Sequence, residues 1–417
     1  MKQLILKIIY KRLADVAKAV INKHQPVVIA ITGSVGKTSA KEALVQIMRD
    51  KFADEVRFTK GNLNAEIGIP LTILGYGELP SKKKWPAFLL KISKHLKEEN
   101  FPKYLILEMG VERPGDIEYF CSIARPTFAV ITAATPAHLA NFSSEDEMKK
   151  EKQKLAGYVG KDKLFYNCDD EYLSDNITSG CSYGIHNINS MICASNIELS
   201  LDGNSYTLSL GDKKINIKNG QIGEQMIYAD IAAAGVADAI GVTAKEIADS
   251  LNKRKSYNGR MNLLPGKNNV LIIDDSYNAN PASVLAAATT LHNLKYNGRK
   301  ILVLGNMNEL GSESEIIHIE TARMISDLSE LDSIYFIGPN SQKMLEAVKG
   351  DNRVVIYKTR QDFEKHLNEN ILPGDLVLIK ASQNNNYFEE LVKIMLKEGV
   401  DPKDVLVRQS DDWLSKK

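Results

Sequence analysis

Over the first 23 residues apolar side chains recur at helical spacing: Leu4, Ile5, Ile8, Ile9, Leu13, Val16, Val20 and Ile21. The positions between them carry Lys2, Lys7, Lys11, Arg12, Lys18 and Lys23 against one acid, Asp15. This spacing predicts a basic amphipathic helix over 1–23. Such a helix either packs its apolar stripe on the next domain with a solvated basic face, or lies on an anionic membrane surface. From Val27 the period changes. Val27 to Ile31 is an unbroken apolar run, the pattern of a strand buried on both faces, and a helical stretch follows from Ser39 to Met48. Val56–Thr59, Tyr104–Met109 and Phe128–Thr132 predict further strands, with a helix over Ser81–Glu99. Strands alternating with helices imply a mainly parallel sheet covered on both sides.

Between Leu164 and Ile217 the apolar pieces become shorter and alternate, as in Ile197–Leu201 and Tyr206–Leu210, with a hairpin turn at Asp202-Gly203-Asn204. This predicts a small antiparallel sheet attached to the first. Helical stretches follow at Glu224–Ile240 and Thr243–Lys253, and Ser256–Gly259 is the expected hinge. Beyond it, strands at 270–274, 301–305, 333–337, 354–357 and 375–380 alternate with helices. That is a second, Rossmann-like α/β domain. It has no G-x-G-x-x-G, so it does not read as a dinucleotide site. The expected division is a helix over 1–23, an ATP-binding domain over 24–257 and a C-terminal domain over 258–417.

Composition adds exclusions. With 53 basic and 52 acidic residues the net charge is +1, so no global field favours nucleic acid. Four cysteines without a C-x-x-C pair indicate neither a zinc ribbon nor a disulfide framework, and fit a reducing cytoplasm. No apolar run reaches transmembrane length.

The chemistry begins where the first strand ends, in Thr32-Gly33-Ser34-Val35-Gly36-Lys37-Thr38. Strand, glycine loop, Lys-Thr and helix form the pattern of a phosphate-binding loop. The glycines let backbone N–H groups turn toward phosphate oxygens, Lys37 reaches the outer phosphates, and the Thr38 hydroxyl suits Mg²⁺. Ile31 stands where the general form of this loop has its first glycine. Glu108 closes a buried strand and is placed to complete a metal shell with Thr38. His138 lies six residues past Thr132; a lone histidine is more often structural than a ligand. Asp274 and Asp275 end a strand before a proline-started helix, where acids bind ribose hydroxyls or favour the helix N-terminus.

Together, Thr32–Ser39, Gly61–Pro70, Leu107–Gly110, Pro136–Leu139, Gly259-Arg260, Asp274–Pro281 and Val303–Gly311 come in the order seen in the Mur ligase family, which the chain resembles over roughly residues 27–395. Within the family it looks most like the branch that adds D-alanyl-D-alanine. The resemblance implies a cytoplasmic ATP-dependent amide ligase of cell-wall synthesis. An acyl phosphate forms on a peptide precursor and an amino acid or dipeptide then attacks it. It implies an ATP site on Gly33, Ser34, Val35, Gly36, Lys37, Thr38, Ser39, Arg260 and Asp275. It implies one Mg²⁺ between Thr38 and Glu108, and a second held by His138 and a carbamylated lysine. Lys152 matches that lysine best, with Lys150 and Lys154 as neighbours. Lys37, His138, Lys152 and Arg260 would be catalytic, and Asn62, Asn64, Asn278 and Asn280 would line the substrate region.

The chain departs from the family pattern at four places, one of them Ala140, where the family has an acid after His138-Leu139. Only 26 residues precede Val27, where the family places a uridine-nucleotide-binding domain. The expectation is therefore an acceptor held by a separate partner, or a precursor not gripped by its uridine end. Gln225–Asp230 replaces the family's amide-rich string near adenine, and Lys380-Ala-Ser-Gln383 replaces a string ending in arginine. Different adenine and amine contacts are expected. Two other readings compete: the same chemistry on a folate or amino-acid polymer, and a nucleotide-binding regulatory or assembly protein that does not ligate.

Overall fold

A computed structural model describes residues 2–80, 85–135, 141–187, 189–383 and 386–415. Two sheets organise the chain. The first has nine strands: β1 (Val27–Thr32), β2 (Val56–Phe58), β3 (Tyr104–Glu108), β4 (Phe128–Ile131), β5 (Leu164–Asn167), β6 (Cys181–Gly184), β7 (Ile192–Ser200), β8 (Gly203–Leu210) and β9 (Lys213–Asn219). They lie in the order β2-β3-β1-β4-β5-β6-β7-β8-β9. The pairs from β2 through β7 are parallel and the last two are antiparallel. The antiparallel strands therefore extend the parallel sheet and do not form a separate one. The edge of β6 still has free backbone groups, and β7 pairs there before the hairpin turns back. The turn itself is tighter than predicted, because Gly203 already belongs to β8.

Among the described residues, nine helices of the first domain and its approach to the second position the site: α1 (Lys2–His24), α2 (Lys37–Phe52), α3 (Gly68–Ile73), α4 (Trp85–Lys91), α5 (Asp116–Ile123), α6 (Glu145–Gln153), α7 (Glu171–Asn176), α8 (Glu224–Ile240) and α9 (Ala244–Leu251). β1 is buried on both faces, and its alternation assigns them. Ile29 and Ile31 pack with Ala40, Ala43, Leu44 and Ile47 of α2 and Ile227 of α8. Val28 and Ala30 face the other way, toward Leu13 and Val20 of α1 and Ile117 and Phe120 of α5. From Ile9 to Ile21 the apolar stripe of α1 is thus part of the core, while Ile8 is exposed. The helix expected over 81–99 is shorter: α4 gives way to a 3₁₀ stretch over Ile92–Lys97, and residues 81–84 lie outside the described residues.

The second sheet has the order β10-β11-β15-β12-β13-β14. Its strands are β10 (Asn262–Pro265), β11 (Leu271–Asp275), β12 (Lys300–Gly305), β13 (Ser333–Ile337), β14 (Val354–Tyr357) and β15 (Leu376–Lys380). All pair in parallel except β10, which runs against β11. β10 is a short edge strand with a proline, so its alternation is too brief to read from sequence. Helix α10 (Pro281–Asn293) leaves the carboxyl end of β11 and faces the first domain.

Candidate active site

The loop from Thr32 to Lys37 leaves the carboxyl end of β1 and opens α2. Gly33 has φ +144°, and a Cβ there would lie 2.1 Å from Thr132 Oγ1. Only glycine lets the loop pass so close to the end of β4. Gly36, at φ +80°, caps α2. The loop is braced from that side: Ser34 N donates to Ala133 O at 2.9 Å, and Thr132 Oγ1 donates to Val35 O at 2.5 Å. Lys37 Nζ folds back over the loop and donates to Gly33 O (2.5 Å) and Ser34 O (3.3 Å). Burial lowers the Lys37 pKa; Glu108 opposes this and the Arg260 charge adds to it. An ammonium poised on carbonyls at a helix N-terminus is ready to exchange them for an anion.

Glu108 ends β3 in register with Ile31 of β1, which sets it beside the loop. Its Oε1 accepts from Thr38 Oγ1 and from Asn64 Nδ2, each at 3.0 Å. Its Oε2 is buried and accepts no hydrogen bond among the described residues, while Lys41 Nζ stands 3.6 Å away. A buried carboxylate with one oxygen left over, next to a threonine hydroxyl, is an oxygen donor set that fits Mg²⁺. Lys41 escaped the sequence reading. It is 1% exposed, donates to Thr59 O at 3.0 Å and pairs with Glu42 at 2.8 Å. The available signal was a lysine next to the apolar stripe Ala40, Ala43, Leu44.

The three candidate lysines separate by environment. Lys150 is exposed and paired with Asp146 at 2.6 Å, and Lys154 is half exposed and paired with Glu151 at 2.6 Å. Lys152 is 1% exposed, and its Nζ lies 2.7 Å from Met148 Sδ, a poor acceptor. Burial pulls the Lys152 pKa down to about 7, the Lys37 charge adds to this, and Glu151 opposes it. Glu151 cannot neutralise it fully, because its Oε1 accepts from Ile117 N and its Oε2 from Lys154. His138 and the rest of Pro136–Leu139 lie outside the described residues, so the pairing of His138 with Lys152 is not described.

The second domain supplies the opposite wall. The Arg260 guanidinium stacks on the Tyr277 ring, 4.3 Å from its centroid. Gly259 N donates to Asp274 Oδ2 at 3.1 Å and Met261 N to Asp275 Oδ1 at 3.2 Å, so the two acids hold the hinge backbone that aims Arg260. Asp274 is fully buried, which pushes its pKa up to about 6. Asp275 pairs with Lys380 Nζ at 2.5 Å, a partner not assigned from sequence. Lys380 also donates to Asn278 O at 2.9 Å, and Gln383 N donates to Asn278 Oδ1 at 3.3 Å. Lys380-Ala-Ser-Gln383 thus fastens the Asp274–Pro281 string. Asn280 is the N-cap of α10, accepting from Ser283 N at 2.9 Å, so its side-chain oxygen is committed to the helix.

Among the described residues two hydrogen bonds join the domains across the cleft, Tyr277 OH donating to Asn62 Oδ1 and Thr290 Oγ1 to Gln225 Oε1 at 3.1 Å, and Ile222 and Met226 pack into the core of the second domain. Between them lies a cavity of about 860 Å³ lined by both domains. Lys37, Thr38, Glu108, Asn62, Asn64, Arg260, Asp275, Asn278 and Asn280 all border it. Gln225, Met226, Tyr228 and Ala229 border it too. Tyr228 is fixed by donating to Asp169 at 2.8 Å, so an aromatic wall stands where the family's amides were absent.

Residues 31–237 match the Mur ligase middle domain and residues 259–383 the Mur ligase glutamate ligase domain. The UDP-N-acetylmuramoyl-tripeptide–D-alanyl-D-alanine ligase of Haemophilus influenzae is 30% identical over 352 residues, 84% of this chain and 72% of that protein. Its Bacillus subtilis counterpart is 28% identical over 395 residues, 92% and 79% of the two chains. Among solved structures, MurF of Acinetobacter baumannii superposes with a TM-score of 0.78 at 25% identity, covering 92% of this chain and 80% of that one. MurF of Thermotoga maritima in complex with ADP gives 0.75 at 25% identity, covering 92% and 83%. The chain belongs to the Mur ligase family of ATP-dependent, carbon–nitrogen-bond-forming ligases.

Proposed function

We propose that this ligase joins a dipeptide of the D-alanyl-D-alanine type to the terminal carboxylate of a muramoyl tripeptide, using ATP. One observation carries the reading: the phosphate loop, Glu108, Arg260 and Asp275 border a single cleft between the two domains. Lys37 and the backbone N–H groups at the start of α2 would hold the outer phosphates. Arg260, aimed from the hinge, would meet them from the opposite side. Asp275 would accept the ribose hydroxyls once Lys380 has fixed it. Thr38 and Glu108 would hold one Mg²⁺. His138 and Lys152, the latter as a carbamate, would hold a second. Bound there, the metal ions neutralise phosphate charge.

The acceptor carboxylate oxygen attacks the γ-phosphorus as the bond to ADP breaks, leaving an acyl phosphate. The dipeptide amine then attacks the acyl carbon, phosphate leaves, and the amine gives up a proton. Nothing here requires a side-chain nucleophile. It requires neutralised phosphates, aligned reactants and excluded water. Asn62, Asn64, Asn278 and Asn280 border the cleft and would line the substrate region, and the Tyr277–Asn62 contact would favour the closed cleft. The lowered pKa of Lys152 supports the carbamate, because CO₂ adds to a neutral amine. Four free thiols support a reducing cytoplasm as the place of work. Among the described residues no helix is long and apolar enough to cross a membrane.

The test is phosphate release from ATP and Mg²⁺ with muramoyl peptides and D-alanyl-D-alanine. Release that needs both acceptor and amine supports ligation. Release that ignores the acceptor, or that requires a folate or amino-acid polymer instead, overturns this reading.

A further inference from the structure

The core takes the apolar stripe of α1 from Ile9 to Ile21 and leaves the helix's outer side to solvent. That side exposes Lys11, Arg12, Lys18 and Lys23 against one acid, Asp15. The segment from Trp85 to Lys97 runs alongside it. Arg12 Nη2 donates to Ser93 Oγ at 3.1 Å, and Lys23 Nζ donates to Leu96 O at 3.1 Å and Glu98 O at 2.6 Å. Ile92 and His95 turn inward, while Lys91, Lys94 and Lys97 are exposed. No acid occurs between Trp85 and Lys97; Glu98 and Glu99 follow. The chain as a whole carries a net charge of only +1, so this face is a local concentration of cations.

Large apolar side chains stand among these lysines. Leu90 is 83% exposed, Ile8 60% and Leu96 40%. Ile8 and Leu96 line a shallow groove between the two elements, with Arg12 at its side. We propose that this face, α1 together with Trp85–Lys97, docks on an anionic membrane surface. Exposed leucine and isoleucine enter the headgroup boundary, and the lysine stems beside them reach phosphates from the same plane. The cations are spread along a helix of 23 residues and its neighbour, an extended array suited to a lipid surface more than to one acidic side chain. On the same helix, Tyr10 lines a second cavity with Ala65 and Glu112, two residues that also border the ligase cleft. The helix that carries the docking face therefore reaches one side of the cleft through its opposite side. The proposal stands on charge and exposure alone and does not depend on the substrate assigned above.

Flotation of the full chain with phosphatidylcholine vesicles, with and without phosphatidylglycerol, tests it. Binding is expected only with the anionic lipid, and is expected to fall steeply with salt. Lys18→Glu and Lys94→Glu should each lower the partition coefficient about tenfold. Leu90→Glu should lower it further, while melting temperature and phosphate release with soluble substrates stay unchanged in all three. Absence of binding to anionic vesicles at low salt overturns the proposal. So does binding that survives both charge reversals. Retention by an immobilised acidic polypeptide without vesicle binding would assign the face to a protein partner and overturn it equally.

Discussion

Lys152→Met is the most informative single substitution, because it removes a charge and preserves a volume. The lysine is 1% exposed, and its pKa is pulled from 10.5 to about 7. Between those two values the unfolded chain holds the proton and the folded chain does not. Stability contributed at this site must therefore rise with pH across the window, at about 1.4 kcal/mol per pH unit. Below pH 7 both states are protonated and the full cost remains, about 5 kcal/mol as a ceiling for this shift. Above the ordinary lysine value the cost is gone. Methionine carries no proton, so the variant lacks this ramp. Denaturant unfolding at a series of pH values, in buffers freed of CO₂, should show the variant more stable than wild type near pH 6.5. The two should converge toward pH 10. Taking the difference between the two proteins cancels groups that titrate in both. Parallel curves would refute the argument, because they would mean that the buried lysine does not titrate near 7. The same variant should lose ligase turnover. Lys152→Ala should regain part of its turnover with short carboxylic acids, whereas Lys150→Ala and Lys154→Ala should remain near wild type.

Four further outcomes follow from the geometry. Gly33→Ala drives a Cβ into Thr132 at a positive φ, and should abolish nucleotide binding measured by calorimetry while the second domain stays folded. Glu108→Gln keeps the bonds' shape but removes the charge, and should raise the Mg²⁺ concentration for half-maximal turnover at least about tenfold, as loss of a carboxylate from a hard-cation site implies. Asp230→Ala strands the buried Arg254 guanidinium that it pairs with, and should cost about 3–5 kcal/mol in urea unfolding. Tyr277→Phe removes one interdomain hydrogen bond, worth about 1 kcal/mol, and should raise KM for ATP about fivefold with a more open solution scattering profile.

Much of this architecture is visible in local pattern. The unbroken run Val27–Ile31 and the glycines after it specify a buried strand and a phosphate loop without knowledge of any neighbour. The Ala-rich stretch Glu224–Ile240 is helical over that whole span in the structure. The antiparallel strands were legible as strands, but not as the continuation of the parallel sheet, because an edge is free or paired only once β6 has taken its place. β10 left too short an alternation to notice. In the site, the loop and Glu108 could be found from strand ends. Lys41 and Lys380 could not, because their importance comes from carboxylates 67 and 105 positions away along the chain.

What the sequence determined by itself is the set of periods and turns. A face of each helix or strand must be buried, and the glycine loop must open a helix. Which surface covers that face is a property of packing. The stripe of α1 satisfied two readings until β1 and α5 were seen beneath it. Among Lys150, Lys152 and Lys154 the local sequence offers little to choose between. Only burial beside Met148 and Phe142 and the nearby charge of Lys37 bring the pKa of one of them down to about 7. Burial and electrostatics act through space, and side chains far apart in the chain set them. Local periodicity carries no record of that distance.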